Sequence, residues 1–221
     1  MLTTADLLAA LLLTAALTAF LEQRYRLLAA CLALAGLTHE TMLATIGALA
    51  LPLLLRRRFR AVGWLALGSL PVLAWNAFVL WYLPPSGSTT GLFENFSWPG
   101  QGVVAKLSAL AGGPFSVKWA YDAAAWVLLS LSLLRLTWLA STRSALHFLA
   151  PSAWVYLVLF LTSRMQIHGY HLDYLRVFAP GVLLLSLTAR RPASARWTGI
   201  WMAAWGLCSL AFLLAYSTGR I

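Results

Sequence analysis

The chain has 221 residues, of which 61% are hydrophobic and only 10% are charged, and its mean hydropathy is +0.79. Apolar runs recur from one end to the other, which excludes an ordinary soluble domain and predicts an all-α, polytopic integral membrane protein. A net charge of +10 would suggest a nucleic-acid ligand in a soluble chain. Here the arginines cluster in short segments between apolar runs, as in cytoplasmic membrane loops. The charge therefore reports topology and predicts no nucleic-acid partner.

The apolar runs predict about eight membrane helices, all within one transmembrane domain. The first run lacks the basic leader of a secretory signal, so we expect it to be retained. Cys31 and Cys208 both lie in apolar runs, a placement that indicates buried small hydrophobic residues rather than a disulfide framework. The domain spans residues 1–221, with helices expected near residues 6–21, 26–37, 41–55, 61–83, 119–139, 145–161, 173–189 and 197–216.

The short basic segments predict the orientation. If the helices alternate across the bilayer, these segments all fall on one side, which the positive-inside rule assigns to the cytoplasm. Both termini and the loop at residues 84–118 then lie on the outer side of the cytoplasmic membrane, which in a bacterium is the periplasmic side. Within that loop, residues 103–110 are amphipathic and predict an interfacial helix. The arginines concerned are Arg24, Arg26, the block at residues 56–60, Arg143, Arg190, Arg191 and Arg196.

Two arrangements are open between residues 26 and 55. One continuous helix would be about 45 Å long at 1.5 Å per residue and would place the arginine block outside. A hairpin of two short helices, with a polar turn at Thr38-His39-Glu40-Thr41, keeps that block inside. The positive-inside bias favours the hairpin. Its turn would stop below the outer surface and line a wet cavity, because lipid cannot satisfy a non-helical backbone.

Glu40 is a functional candidate because an ionisable residue at membrane depth is costly. A carboxylate facing the cavity can deprotonate a hydroxyl acceptor, and Arg176 can bind a phosphate through its fork of donors. The simpler interpretation is that Glu40 pairs with Arg176 or caps the third helix, and that Asp6 and Glu94 are solvated. The candidate catalytic acids are Glu40, Asp6 and Glu94, and the candidate substrate-binding residues are His39, Glu40 and Arg176.

Two further patterns concern ligands and partners. His168 and His171 are candidate metal ligands, although no second motif fixes a geometry, so solvated or hydrogen-bonded histidines are the simpler interpretation.

Trp197, Trp201 and Trp205 recur every four residues and form an aromatic ridge on one helix face. Lipid is the default contact for that ridge, and a partner subunit or a prenyl tail is the alternative.

Several segments resemble the later membrane segments of bacterial GT-C-type glycosyltransferases, which use polyprenyl-phosphate sugars. At the turn, such proteins usually read Leu-Thr-Arg-Glu-Thr, so His39 stands where the family has arginine. The family's catalytic acid lies in a first external loop that precedes the matched part, and Asp6 is too close to the start to take its place. The segments that carry the resemblance are residues 34–41, 56–60, 71–75, 95–100 and 174–180.

The resemblance implies the fold without supplying the chemistry. The favoured hypothesis is a non-catalytic membrane subunit that packs in a larger complex. The alternative is a membrane glycosyltransferase, or a fragment of one, and a transporter comes third, since broken helices with a buried carboxylate suit it. No cofactor is predicted; a polyprenyl-phosphate lipid is the ligand that the resemblance implies. The expected partners are the lipid bilayer and other membrane subunits.

Overall fold

The computed structural model describes residues 4–38, 42–82, 96–169, 171–188, 199–200 and 203–207. The structure is 89% helical. Within the described ranges, Phe96 and Ser163 form an isolated antiparallel β-bridge. The predicted all-α class is therefore confirmed. The chain divides into two compact units, one of residues 1–89 with 148–152 and the other of residues 90–147 with 153–221.

Among the described residues, the first unit contains four complete helices, and α2 packs against both α1 and α4. The α2–α4 contact is close because small residues face each other. A Cβ on Gly68 would lie 2.8 Å from the carbonyl oxygen of Ala29, and one on Gly36 would lie 2.1 Å from Val72 Cγ2. Small residues are the usual means by which membrane helices bring their backbones together. The helices are α1 (Thr4–Leu21), α2 (Tyr25–Thr38), α3 (Met42–Leu55) and α4 (Phe59–Tyr82).

The chain reverses direction between α2 and α4. The Arg58 guanidinium, just before α4, donates to Gln23 Oε1 at 2.8 Å and to Tyr25 Oη at 3.1 Å, both at the start of α2. A continuous helix from residue 26 to residue 55 would separate these groups by about 45 Å. The linker before α2 and the linker before α4 therefore lie at the same end of this unit.

The helices α1 and α3 end in the same way. After α1, the Gln23 amide donates to the Phe20 carbonyl and the Arg24 amide donates to that of Ala19. After α3, the Arg57 and Arg58 amides make the equivalent bonds, and Gln23 (φ 61°) and Arg57 (φ 55°) are both left-handed. This is the Schellman motif, whose left-handed position is usually glycine. The turns after α1 and α3 therefore have the same geometry, with Gln23 and Arg57 at the position where glycine is usual. We call them the two matched turns, and they bring the basic residues around 24 and 57 together.

The second unit is built around α6, which packs on α9, while α8 contacts both α5 and α9. Glycine again permits the closest contact, because a Cβ on Gly181 would lie 2.7 Å from Leu133 Cδ2. Described residues 199–200 and 203–207 are also helical. The helices are α5 (Gln101–Gly112), α6 (Val117–Thr142), α7 (Ala150–Thr162), α8 (Met165–Gly169) and α9 (His171–Thr188).

Two predicted boundaries differ from the structure. The helix predicted at residues 145–161 begins as a 3₁₀ segment, Ser144–Leu149, and becomes α-helical at Ala150. Pro151 explains this start, because proline lacks an amide donor and fits the first turn of an α-helix. The predicted connection after Ser163 contains the short helix α8. The predicted interfacial stretch at residues 103–110 lies within α5.

Two helices in the described part of the chain are long and apolar enough to cross a membrane. They are Phe59–Val79 within α4 and Val117–Thr142, which is α6. The helices α2 and α3 have 14 residues each, so each extends only about 21 Å at 1.5 Å per residue. That length is below the hydrocarbon thickness of a bilayer, about 30 Å.

Candidate functional site

The structure describes the side chains of two predicted site residues, His168 and Trp205. For three others it describes only the backbone, which places Asp6 in α1 and both His171 and Arg176 in α9. The remaining predicted site residues lie outside the described residues, and their assigned roles stay predictions. These are His39, Glu40, Glu94, Trp197 and Trp201.

His168 lies at the centre of a buried polar cluster in the second unit. It is fully buried, and its imidazole uses both ring nitrogens. The Trp126 indole N–H donates to Nδ1 at 3.2 Å, and Nε2 lies 3.1 Å from the carbonyl oxygen of Phe160. Since an indole N–H can only donate, Nδ1 must accept and Nε2 must carry the proton. The geometry thus assigns a neutral imidazole in the Nε2–H tautomer.

Aromatic rings enclose this imidazole. The Phe160 ring meets it edge-on, with centroids 4.9 Å apart, and also contacts the Phe178 ring at 5.3 Å. Burial lowers the pKa of His168, and the positive charge of Lys106 lowers it further, although hydrogen bonds to the Phe160 and Ser163 backbones act in the opposite sense. The histidine is therefore held neutral near physiological pH.

A buried ion pair belongs to the same unit. Lys106, in α5, has a side chain only 2% exposed, and its Nζ contacts Asp122 Oδ2, in α6, whose side chain is 17% exposed. Burial of two charges is favourable only when they are closely paired, and loss of one partner is costly. The pair therefore fixes α5 against α6.

The helix α5 buries its lysine and exposes apolar side chains, which is the reverse of an amphipathic helix in a soluble protein. Its buried residues are Gly102 and Lys106, whereas Val104 and Leu107 are exposed. A helix that turns its lysine inward and its apolar side chains outward is suited to a non-aqueous environment or to an apolar partner surface.

Glycine permits α5 to approach the cluster. A Cβ on Gly102 would lie 2.0 Å from the Ser163 carbonyl oxygen and 2.8 Å from His168 Cδ2. At Gly100, φ is +85°, a conformation that favours glycine, and its amide donates to the Leu161 carbonyl at 2.7 Å. These contacts hold the start of α5 against the end of α7 and the start of α8.

The polar groups of this cluster join helices to one another. Both nitrogens of His168 are engaged, and Lys106 is paired with Asp122. The described residues contain no group of three or more His, Cys, Asp or Glu side chains placed to hold a metal. The neighbouring cavity, between the starts of α5 and α8, has a volume of about 220 Å³. Small-molecule sites usually exceed about 300 Å³.

Sequence reasoning missed the Lys106–Asp122 pair. The available signal was the presence of opposite charges on two mainly apolar helices, on either side of the Gly112-Gly113-Pro114 turn. Spacing alone did not show that the two side chains face each other.

Trp205, which also belongs to the second unit, contacts the helix α6. Its indole N–H donates to Ser132 Oγ at 3.2 Å, and the side chain is half-buried. This member of the predicted tryptophan ridge therefore directs its polar edge to α6 of its own chain. The partly exposed ring surface is still open to the predicted lipid or partner contact.

Comparisons with protein-family models, with curated proteins and with solved structures found no match for this chain. The resemblance to GT-C-type glycosyltransferases therefore stays a prediction.

Proposed function

We propose that this chain is a polytopic integral membrane protein that acts as a non-catalytic subunit or scaffold within a larger membrane assembly. The observation that carries the proposal is the surface of α4. Within the 21-residue segment Phe59–Val79, an 18-residue window has a mean hydropathy of 1.5, yet only 17% of that window is buried. A core helix of a soluble protein with this composition would be mostly buried. The exposed surface of α4 is therefore suited to contact lipid or a protein partner.

The predicted topology is part of this proposal. In it, α2 and α3 form a short hairpin whose predicted polar turn, Thr38-His39-Glu40-Thr41, stops below the outer surface. The contact of Arg58 with Gln23 and Tyr25 supports the hairpin, because it places both basic linkers at one end. About eight membrane helices, arranged as in GT-C-type proteins, complete the proposed architecture.

The scaffold role is favoured by an aromatic surface on α4. Trp75, Phe78 and Tyr82 are exposed and stack in series, with ring centroids 5.7 Å and 4.7 Å apart. Residues at this spacing share one helix face. Preformed aromatic surfaces are typical of the buried core of a protein interface. The self-contained polar cluster of the second unit agrees with a structural role, since its groups are used to join helices.

Membrane integration and topology can be tested together. In a background carrying Cys31→Ala and Cys208→Ala, we would introduce Arg60→Cys or Lys118→Cys, both at exposed basic residues. An impermeant maleimide should label position 60 only from the cytoplasmic face and position 118 only from the outer face. Alkaline carbonate should leave the chain in the membrane pellet. Labelling of both positions from one face would contradict the topology, and release by carbonate would contradict integration.

Native mass spectrometry of the chain purified in mild detergent tests the scaffold role. A stoichiometric assembly that contains the chain supports it, whereas a solitary chain carrying polyprenyl phosphate supports the glycosyltransferase alternative. Glu40→Gln separates the two further. It should abolish sugar transfer if the chain is an enzyme, and should change only stability or assembly if the chain is a scaffold.

A further inference from the structure

An open basic groove lies at the end of the first unit where the two matched turns meet. Its volume is about 810 Å³, within the range of ligand sites. Five arginines line it together with polar and apolar side chains. The arginines are Arg24, Arg26, Arg57, Arg58 and Arg60, and the other lining residues are Gln23, Tyr25, Leu27, Phe59, Ala61 and Trp64.

Neutral groups hold two of these arginines in place. Arg58 donates to Gln23 Oε1 and Tyr25 Oη, and the Arg26 guanidinium lies 5.4 Å from the Trp64 ring centroid. Within the described residues, one groove arginine pairs with a carboxylate: Arg24 Nε lies 3.3 Å from Glu22 Oε2. Two of the five guanidinium groups are therefore oriented by neutral partners, and the described residues provide a carboxylate for one of the five. Oriented guanidinium groups with little carboxylate pairing are suited to bind phosphate groups.

The backbone supports a specific use of Arg57. This residue occupies a left-handed position, φ 55°, where a Schellman turn usually has glycine. A side chain that the local backbone disfavours points to a role outside the turn itself. That role is consistent with the place of Arg57 in the groove lining.

The apolar part of the lining distinguishes a lipid from a free anion. Leu27 and Phe59 are exposed beside the arginines, and exposed Leu67 follows farther along α4. A soluble phosphate needs no such surface, whereas the acyl chains of a lipid can lie along it when its headgroup is in the groove.

We infer that this groove binds the headgroup of an anionic phospholipid that carries two phosphates, with its acyl chains along the exposed faces of α2 and α4. The arginines come from two segments, each made of a linker and the first turn of the helix that follows it: Arg24 and Arg26 lie in the segment that enters α2, and Arg57, Arg58 and Arg60 lie in the segment that enters α4. Each segment provides donors for one phosphate. The inference rests on the proposed membrane integration and adds a lipid class and a site to it.

The test measures lipid binding to the full chain, delipidated in mild detergent, by native mass spectrometry. The probes are diphosphatidylglycerol, phosphatidylglycerol, phosphatidylcholine and inorganic diphosphate. We expect diphosphatidylglycerol to bind most tightly. The triple variant Arg57→Gln, Arg58→Gln, Arg60→Gln should lose roughly a hundredfold in affinity, since each basic residue near a membrane surface contributes roughly fivefold.

Two further variants keep the test decisive if the triple variant fails to fold. Arg57→Gly removes one charge at a position that suits glycine, so it should fold and lose roughly fivefold in affinity. Arg143→Gln removes an exposed arginine outside the groove and should bind as the wild type does.

Equal binding by wild type and Arg57→Gly would overturn the site. Phosphatidylglycerol binding as tightly as diphosphatidylglycerol would overturn the two-phosphate assignment, and inorganic diphosphate binding as tightly would overturn the lipid assignment. Carbonate extraction of the same variants reports membrane integration separately. Loss of lipid binding with integration intact would therefore count against the groove alone.

Discussion

Replacing Lys106 with methionine tests whether the buried ion pair holds the second unit together. Methionine is similar in length and removes the charge, so Asp122 is left without its main cationic partner. Breaking a buried pair typically costs about 3–5 kcal/mol. The Asp122 side chain is 17% exposed and can regain some hydration. We therefore expect Lys106→Met to lower the free energy of unfolding by about 3 kcal/mol, at the low end of that range.

The assay is equilibrium unfolding in mixed micelles of mild and denaturing detergent, followed by tryptophan fluorescence. A double-mutant cycle isolates the pair. The variant with both Lys106→Met and Asp122→Leu should recover to within about 1 kcal/mol of the wild type, because no isolated charge remains buried. Lys118→Met is the matched control, since this lysine is exposed near the start of α6 and should change stability little.

A result in which Lys106→Met and Lys118→Met have equal, small effects would refute this reasoning. It would mean that Lys106 reaches water or polar headgroups in solution. A double variant that is as unstable as Lys106→Met would instead show that packing of the lysine stem, rather than charge pairing, accounts for the loss.

Three other predictions use the same unfolding assay. Because burial lowers the pKa of His168 below 6.5, the unfolded chain binds that proton more readily, so stability should be full above about pH 6.5 and fall as the pH drops below it, by up to about 1.4 kcal/mol per pH unit. His168→Gln should flatten this profile, and an unchanged profile would argue against the buried neutral imidazole. Gly102→Ala should cost about 1–3 kcal/mol, because its Cβ would meet backbone at 2.0 Å, whereas Gly112→Ala, with nothing within 4 Å, should be neutral or stabilising. Gly68→Ala should likewise cost about 1–3 kcal/mol by separating α2 from α4, and the same change at Gly63, with open space around it, should not; equal effects would contradict the close helix contact.

The sequence predicted helix positions well where local signals were strong. The apolar runs gave the bounds of α2 and α3 to within a residue or so, because arginine segments and the polar turn interrupt them. The structure differs where a local signal was underweighted, as at Pro151, which starts α7 after a 3₁₀ segment. The short helix α8 was missed because five residues carry too little periodicity to be recognised.

The candidate site was harder to predict. His168 was identified as a polar residue of interest, but its neutral tautomer follows from the Trp126 indole, 42 residues away in the sequence, together with the Phe160 carbonyl of the preceding helix. The pairing of Lys106 with Asp122 depends on how α5 folds back on α6. Hydropathy describes one segment at a time, so it cannot show which polar groups of different segments pair with one another.

The sequence by itself determined the helical class, the places of the main helices and the clustering of arginines in short linkers. Composition and the spacing of breaks decide these features locally, through the cost of exposing apolar groups and the constraints on the backbone. Only the tertiary structure decided that the linkers before α2 and α4 meet, that Lys106 turns inward and that α4 keeps most of its apolar surface exposed. Those features arise from contacts between segments far apart in the chain, such as Gln23 with Arg58, and helix packing alone sets which faces are covered.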